Sequence, residues 1–331
     1  MDNTVTSTYY QGLKKTFISL AVTSSIGANM VMANPAITTE DTINVSTEVS
    51  IKDNTESTAN STSSNTTKNA KHIKLSGEIK QGGLVVGKTA PQNTVTLNGN
   101  KLMLSSQGDY TFGFSRDDQK TYQLVITNKN GDRVEKTLTP EKRTYNIQRI
   151  QGIKKSIMQP NTKAITRAKQ DSKQVKKARQ VASSLEFFAQ GFVAPMQGIV
   201  TGVYGSQRVY NGVPKNPHFG IDYAGDKGDP VKAPASGTVS LWVPDMFYSG
   251  GTMIIDHGQG VSSTFLHLSD AYVKKGDKVS QGQVVAAVGA SGRATGPHLD
   301  WRINWFGVRI DPALVLKLKP LGKSNSTSQV Q

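Results

Sequence analysis

The sequence predicts a mainly β chain. A C-terminal antiparallel β-sheet domain is preceded by a small β-sandwich and a basic helical segment. Three observations carry this. Asn-Gly pairs stand between β-prone runs in "NTVTLNGNKLML" and "YQLVITNKNGDRVEKTL", a strong hairpin signal. Past Val193, short β-prone runs such as "HFGIDYAG", "GTMIIDHGQG" and "VSSTFLHL" are separated by glycine. Between these regions lies a stretch whose apolar residues recur at helical spacing.

The elements follow in order. Lys14 and Lys15 precede a run without charge from Thr16 to Ala33, which ends in the small-residue pattern Val31-Met32-Ala33. This is the layout of a secretory signal peptide over residues 1–33. It predicts export to the periplasm or cell envelope, the alternative being an uncleaved membrane anchor. Residues 34–70 are dominated by Ser, Thr and Asn, have little to bury, and read as a disordered linker. Residues 71–152 form the first β-domain, with strands expected over Thr94–Leu104, Asp109–Ser115 and Thr121–Leu138. It holds no catalytic constellation, and its single His72 is expected at the surface.

Residues 153–192 form the basic helical segment. Ile165, Ala168, Val175, Ala178, Ala182, Leu185, Ala189 and Phe192 make one apolar stripe, and Lys163, Arg167, Lys169, Lys173, Lys176, Lys177 and Arg179 supply the charge. Such a helix packs on a domain by one face or contacts an anionic polymer or membrane surface. Residues 193–320 are the second β-rich domain, and residues 321–331 a disordered tail.

Composition limits the chemistry. The chain has 331 residues, 5 His and no Cys, with a net charge of +15. Without cysteine there is no disulfide framework, thiolate metal site or cysteine nucleophile, so any metal must be held by His, Asp and Glu. The positive charge suits an anionic environment. Export argues against nucleic acid and for anionic envelope polymers. Nothing in the sequence fixes the oligomeric state.

Four of the five histidines, His218, His257, His267 and His298, fall in the last domain. In "HFGID", His218, Gly220 and Asp222 share one face of an extended chain, with Phe219 and Ile221 on the other. Gly220 leaves room for an ion between the polar side chains. In "HLDWRIN", His298, Asp300, Arg302 and Asn304 share one face, and Leu299, Trp301, Ile303 and Trp305 the other. A half-exposed strand alone gives the same alternation. Two such strands together with "FLHL" point to a site. His257, in the Gly-rich "DHGQG", reads as a turn residue without chemistry.

With these motifs in order, residues 193–320 resemble the lysostaphin/LytM-type zinc endopeptidases, which cleave peptides of bacterial peptidoglycan. The family pattern has H-x(3)-D, here His218 and Asp222, then a strand ending like "TFLHL", here with His267. Last comes H-x-H within "TGPHLH", here "TGPHLD". The resemblance implies one zinc ion held by His218, Asp222 and Asp300, with His267 and His298 catalytic and peptidoglycan as the partner. Asp300 stands where the family has histidine. Carboxylate oxygen is an ordinary zinc ligand. A second carboxylate brings the formal charge of the loaded site near zero, which lowers the acidity of bound water. Arg302, on the same face, is placed to orient Asp300. The expected reaction is metal-assisted amide hydrolysis with a histidine as proton acceptor. No HExxH is present to supply a glutamate base. The alternative is a degraded LytM-type module that binds the wall and activates another hydrolase.

Overall fold

The computed structural model describes residues 73–154 and 162–322. The expected signal peptide, the linker, His72 and nearly all of the expected tail lie outside the described residues. Seven strands come first: β1 (Lys74–Ser76), β2 (Leu84–Lys88), β3 (Thr94–Leu97), β4 (Asn100–Lys101), β5 (Asp109–Gly113), β6 (Tyr122–Thr127) and β7 (Arg133–Leu138). They make two sheets, β1-β2-β5 and β4-β3-β6-β7. The hairpins form where the Asn-Gly pairs predict them. Asn98 and Gly99 have φ of 49° and 77°, the left-handed pair that a two-residue β3–β4 loop demands. Between the sheets, Val85, Val95, Tyr110, Phe112, Phe114 and Leu124 are fully buried in one apolar cluster.

After β8 (Ile147–Ile150) and helix α1 (Thr162–Arg179), the chain builds the larger domain. Its strands are β9 (Val200–Gly202), β10 (Gln207–Tyr210), β11 (Val213–Pro214), β12 (Ile221–Ala224), β13 (Pro230–Lys232), β14 (Gly237–Met246), β15 (Gly250–Gly258), β16 (Val261–Leu268), β17 (Asp270–Ala271), β18 (Lys278–Val279), β19 (Val284–Ala287), β20 (His298–Trp305) and β21 (Val308–Ile310), before a short helix α2 (Pro312–Val315). Eight strands form the main sheet, in the order β18-β14-β15-β16-β20-β12-β9, with β21 added on β20. A second sheet, β13-β19-β17, lies elsewhere in the domain. The pairings within both sheets are antiparallel. The molecule is thus mainly β, as its hairpin and glycine punctuation predict.

One face of the main sheet is core. Val239, Met253, Ile255, Phe265, Leu299, Trp301 and Ile303 meet Val285, Ala286 and Val288 there. Each fully buried aliphatic side chain contributes roughly 1.5–3 kcal/mol. Leu84 and Val86 of β2 belong to this same cluster, while Val85 faces the sandwich core. The alternation of one strand therefore ties the two β regions together.

The helix is shorter than the apolar stripe implies. It ends at Arg179, and of the later stripe only Ala189 falls in a helical turn, the 3-10 turn Phe187–Ala189. Tertiary contacts override the repeat. The Gln259 N–H donates to Ser183 O at 3.0 Å, and the chain passes so close to the β15–β16 turn that a Cβ on Gly258 would lie 1.8 Å from Leu185 O. Val175 and Ala178 pack on Leu241, Met246 and Ile254, which lie on the face of the main sheet opposite the core. Ile165, at the start of the stripe, is exposed. Among the described residues no helix is long and apolar enough to cross a membrane.

Candidate metal centre and histidine pair

The register of three adjacent strands assembles the centre. Asp222 on β12 lies directly opposite Asp300 on β20, and Asp300 lies opposite Leu266 on β16. Directly opposed residues have Cβ atoms about 4.5–5.5 Å apart, so the two carboxylates meet. β12 begins only at Ile221, so His218 stands ahead of the strand and not on it. Its backbone is held there: His218 N–H donates to Ser206 O, and Gly205 N–H to His218 O, both at 2.8 Å. The His218 Nε2 lies 3.2 Å from Asp222 Oδ1. Ligand atoms of His218, Asp222 and Asp300 all lie within 4.8 Å of one another.

Glycine makes the space. A Cβ on Gly202 of β9 would lie 2.1 Å from Asp222 Oδ2, and one on Gly220 would lie 2.4 Å from Asp300 Oδ1. No side chain fits at either position without displacing a carboxylate.

The donor set fits zinc. His218 Nε2 and Asp222 Oδ1 are buried and have no hydrogen-bond partner. Buried polar atoms are almost always satisfied, and two facing acceptors 3.2 Å apart without a hydrogen bond suit a cation. One nitrogen and two carboxylate oxygens are a three-ligand set of the catalytic type.

Asp300 is held by Arg302. The Arg302 Nε donates to Oδ1 at 2.9 Å and to Oδ2 at 3.1 Å, and Nη2 donates to Oδ2. Burial works against the charge on Asp300, yet the Arg302 guanidinium outweighs it and holds the carboxyl below its usual range. Oδ2 takes two of these contacts and Oδ1 only one, so Oδ1 keeps a second lone pair for a metal. The pair is formally neutral, as a histidine in that place would be.

His267 and His298 lie beside one another, with ring centroids 4.7 Å apart. The His267 Nδ1 lies 2.8 Å from Ser291 O, and the His298 Nδ1 lies 2.8 Å from Gly296 O. A carbonyl only accepts, so each neutral ring carries its proton on Nδ1 and leaves Nε2 as an acceptor. His267 has φ of 63°, rare for a residue with a Cβ and typical of positions that the surrounding structure forces. Burial pushes its imidazole below the ordinary range.

His257 is not a turn residue. It lies within β15, is fully buried, and stacks edge-on against Phe192. Its Nδ1 lies 2.8 Å from Ser236 O and its Nε2 lies 2.8 Å from Ser263 Oγ. The Gly-rich surroundings hid a strand buried along its whole length.

Sequence reasoning missed Ser291. Its hydroxyl donates to Leu268 O and accepts from Gly251 N–H, both at 2.8 Å, while its carbonyl holds His267. It sits in "GASGR", and the short side chain among glycines was the available signal. A cavity of about 840 Å³ is lined by His218, Asp222, Arg302 and Arg309, together with Arg208 and Lys215.

Residues 216–312 match Peptidase family M23. The chain is 39% identical over 114 residues to the peptidoglycan DD-endopeptidase ShyB of Vibrio cholerae, a match covering 34% of this chain and 26% of that protein. It is 35% identical over 124 residues to lysostaphin of Staphylococcus simulans, covering 35% of this chain and 24% of that protein. The matched region is thus about a quarter of the length of these relatives. A crystal structure from Pseudomonas aeruginosa assigned to peptidase M23 aligns with a TM-score of 0.56 at 26% identity, covering 72% of this chain and 96% of that one. The ordered histidine and aspartate motifs, the main β-sheet and these matches agree that the chain carries a domain of Peptidase family M23.

Proposed function

We propose that the protein is an exported zinc-dependent endopeptidase that hydrolyses peptide bonds in peptidoglycan. The observation that carries the reading is the pair of buried ligand atoms on His218 and Asp222 that make no hydrogen bond and lie within 4.8 Å of an Asp300 oxygen, with His298 two residues from Asp300 on β20 and His267 beside His298. His218, Asp222 and Asp300 would hold the ion. Bound there, zinc supplies a Lewis acid for the scissile carbonyl and a more acidic water. The histidines act on protons. With Nδ1 tied to a backbone carbonyl, Nε2 of His267 or His298 accepts the proton of the attacking water. Once protonated, the same Nε2 donates to the developing oxyanion or the leaving amine. Arg302 offsets the charge of Asp300, so the ligand set keeps the formal charge of one carboxylate.

The curated relatives named for peptidoglycan support the substrate class, and a net charge of +15 suits an anionic wall. Export rests on the sequence pattern of residues 1–33. The test is removal and restoration of zinc, with peptide release from purified peptidoglycan read by mass spectrometry. Release should vanish with the metal and return with it; undiminished release from metal-free protein rejects the mechanism. Asp300→Ala should abolish stoichiometric zinc binding. The bidentate Arg302–Asp300 contact also suits a second reading, in which Asp300 is withdrawn from metal and the domain activates another hydrolase. Purified protein that takes up no zinc while stimulating a second wall hydrolase would select it.

A further inference from the structure

The face of the main sheet that carries Asp300 also floors a second cavity, of about 770 Å³. Helix α1 forms its other wall through Ala168, Val175 and Arg179. Tyr248, Arg302 and Arg309 line both this cavity and the one holding His218 and Asp222. The two spaces are therefore neighbours on one groove.

The second cavity has a surplus of positive charge. Arg302 is occupied by Asp300. Arg179 and Arg309 are not so matched: the arginine ion pairs among the described residues belong to Arg116, Arg133, Arg143, Arg167 and Arg302. Arg179 is only 7% exposed, yet its Nε and Nη2 share one neutral acceptor, Thr264 Oγ1, at 3.3 and 2.9 Å. Arg309 reaches Asn304 Oδ1 at 3.5 Å and lies over the Phe219 ring. The acid on the helix wall, Asp171, accepts from Phe247 N–H at 2.8 Å and lies eight residues, about 12 Å, along α1 from Arg179. Burial lowers the Arg179 pKa, and the repulsion of Arg309 and Arg302 lowers it further. A guanidinium presents a planar fork of donors that fits a carboxylate. Two such forks, Arg179 buried and Arg309 half-buried, both short of acceptors beside a hydrolytic centre, form a receptor for an anion.

We propose that this cavity is a subsite for a carboxylate of the substrate peptide, gripped by Arg179 from the helix and Arg309 from the sheet. The proposal rests on the peptidase reading for its ligand class. It makes Arg179 and Arg309 specificity residues and gives α1 a part in substrate recognition. The carboxylate can come from the C-terminus of a stem peptide or from within it.

Calorimetric titration tests this with the full chain, chelator-treated so that no turnover occurs. One muropeptide is used in three forms: all carboxylates free, the C-terminal carboxylate amidated, or the internal carboxylates amidated. One amidation should weaken binding on the order of tenfold, and which one does so identifies the source. Arg179→Gln and Arg309→Gln should lose the same factor on the free form and no longer distinguish the amidated form. Equal binding of all three forms by the unaltered protein overturns the subsite, as does a variant that keeps the full preference. The unaltered protein suffices for the decision if Arg179→Gln fails to fold. Carboxylate preference without hydrolysis by the zinc-loaded chain would overturn only the catalytic reading. Hydrolysis without the preference would overturn only the subsite.

Discussion

His257 and His267 lie on adjacent strands of one sheet, and their rings meet opposite fates. Both nitrogens of His257 have partners, and the ring is sealed in the core. His267, like His298, has one nitrogen fixed by a backbone carbonyl and no hydrogen bond at the other, and the two ring centroids lie 4.7 Å apart. A histidine satisfied at both nitrogens specifies packing. A histidine held at Nδ1 alone is an oriented base. Counting histidines in the sequence could not separate these roles; partners at each nitrogen do.

Removal of the rings should show the largest contrast. His267→Ala and His298→Ala should each lower kcat on purified peptidoglycan by about 10²–10⁴-fold, the usual range for a positioned acid–base group. His257→Asn should leave kcat within a few-fold and lower the urea midpoint. Comparable kcat losses at all three positions would break the distinction.

The pH dependence of stability sharpens the same contrast. Burial depresses the His257 pKa from 6.5 to about 4 in the folded protein. The unfolded chain therefore binds more protons between those values, and stability rises with pH across that window. The neutral ring contributes fully above about pH 6.5, and the contribution is lost as pH falls toward 4. The span corresponds to about 3 kcal/mol. Urea unfolding of the protein and of His257→Asn, at steps from pH 7 to pH 4, should give curves that converge as pH falls. Parallel curves would show that His257 does not titrate on unfolding.

What the sequence discloses follows from how local each feature is. The two Asn-Gly hairpins, the alternation of "HLDWRIN" and the pairing of His218 with Asp222 depend on a few neighbouring residues, and each is visible in the string. The opposition of Asp222 and Asp300 needs strand register, but the shared polar faces anticipate it. The docking of α1 is different. Arg179 meets Thr264 across 85 residues, and nothing within the helix repeat indicates that its last basic residue turns inward. The end of the helix was misread for the same reason: the stripe continues while the chain leaves the helix for contacts near Gly258. The role of Gly202 was equally hidden, because it lies in what Asp222 needs and not in β9 itself.

Gly202 and Gly220 offer the narrowest test, since a Cβ on them would meet Asp222 and Asp300 and not the sealed ring of His257. The Cβ of Gly202→Ala would sit 2.1 Å from Asp222 Oδ2, and that of Gly220→Ala 2.4 Å from Asp300 Oδ1. Real side chains never approach so closely, so each carboxylate must swing away. Neither glycine has the left-handed backbone that would make alanine costly in itself. Gly220→Ala also crowds Trp301 O at 2.6 Å, whereas the three nearest atoms to a Cβ on Gly202 all belong to Asp222. Gly202→Ala is therefore the cleaner variant. Its zinc affinity, measured by competition with a chromogenic chelator, should fall about 10–100-fold, the range for misplacing a ligand through its support. Its thermal midpoint without zinc should stay within a few degrees of the unaltered protein. Unchanged zinc affinity would show that Asp222 does not need that space, and would remove it from the ligand set.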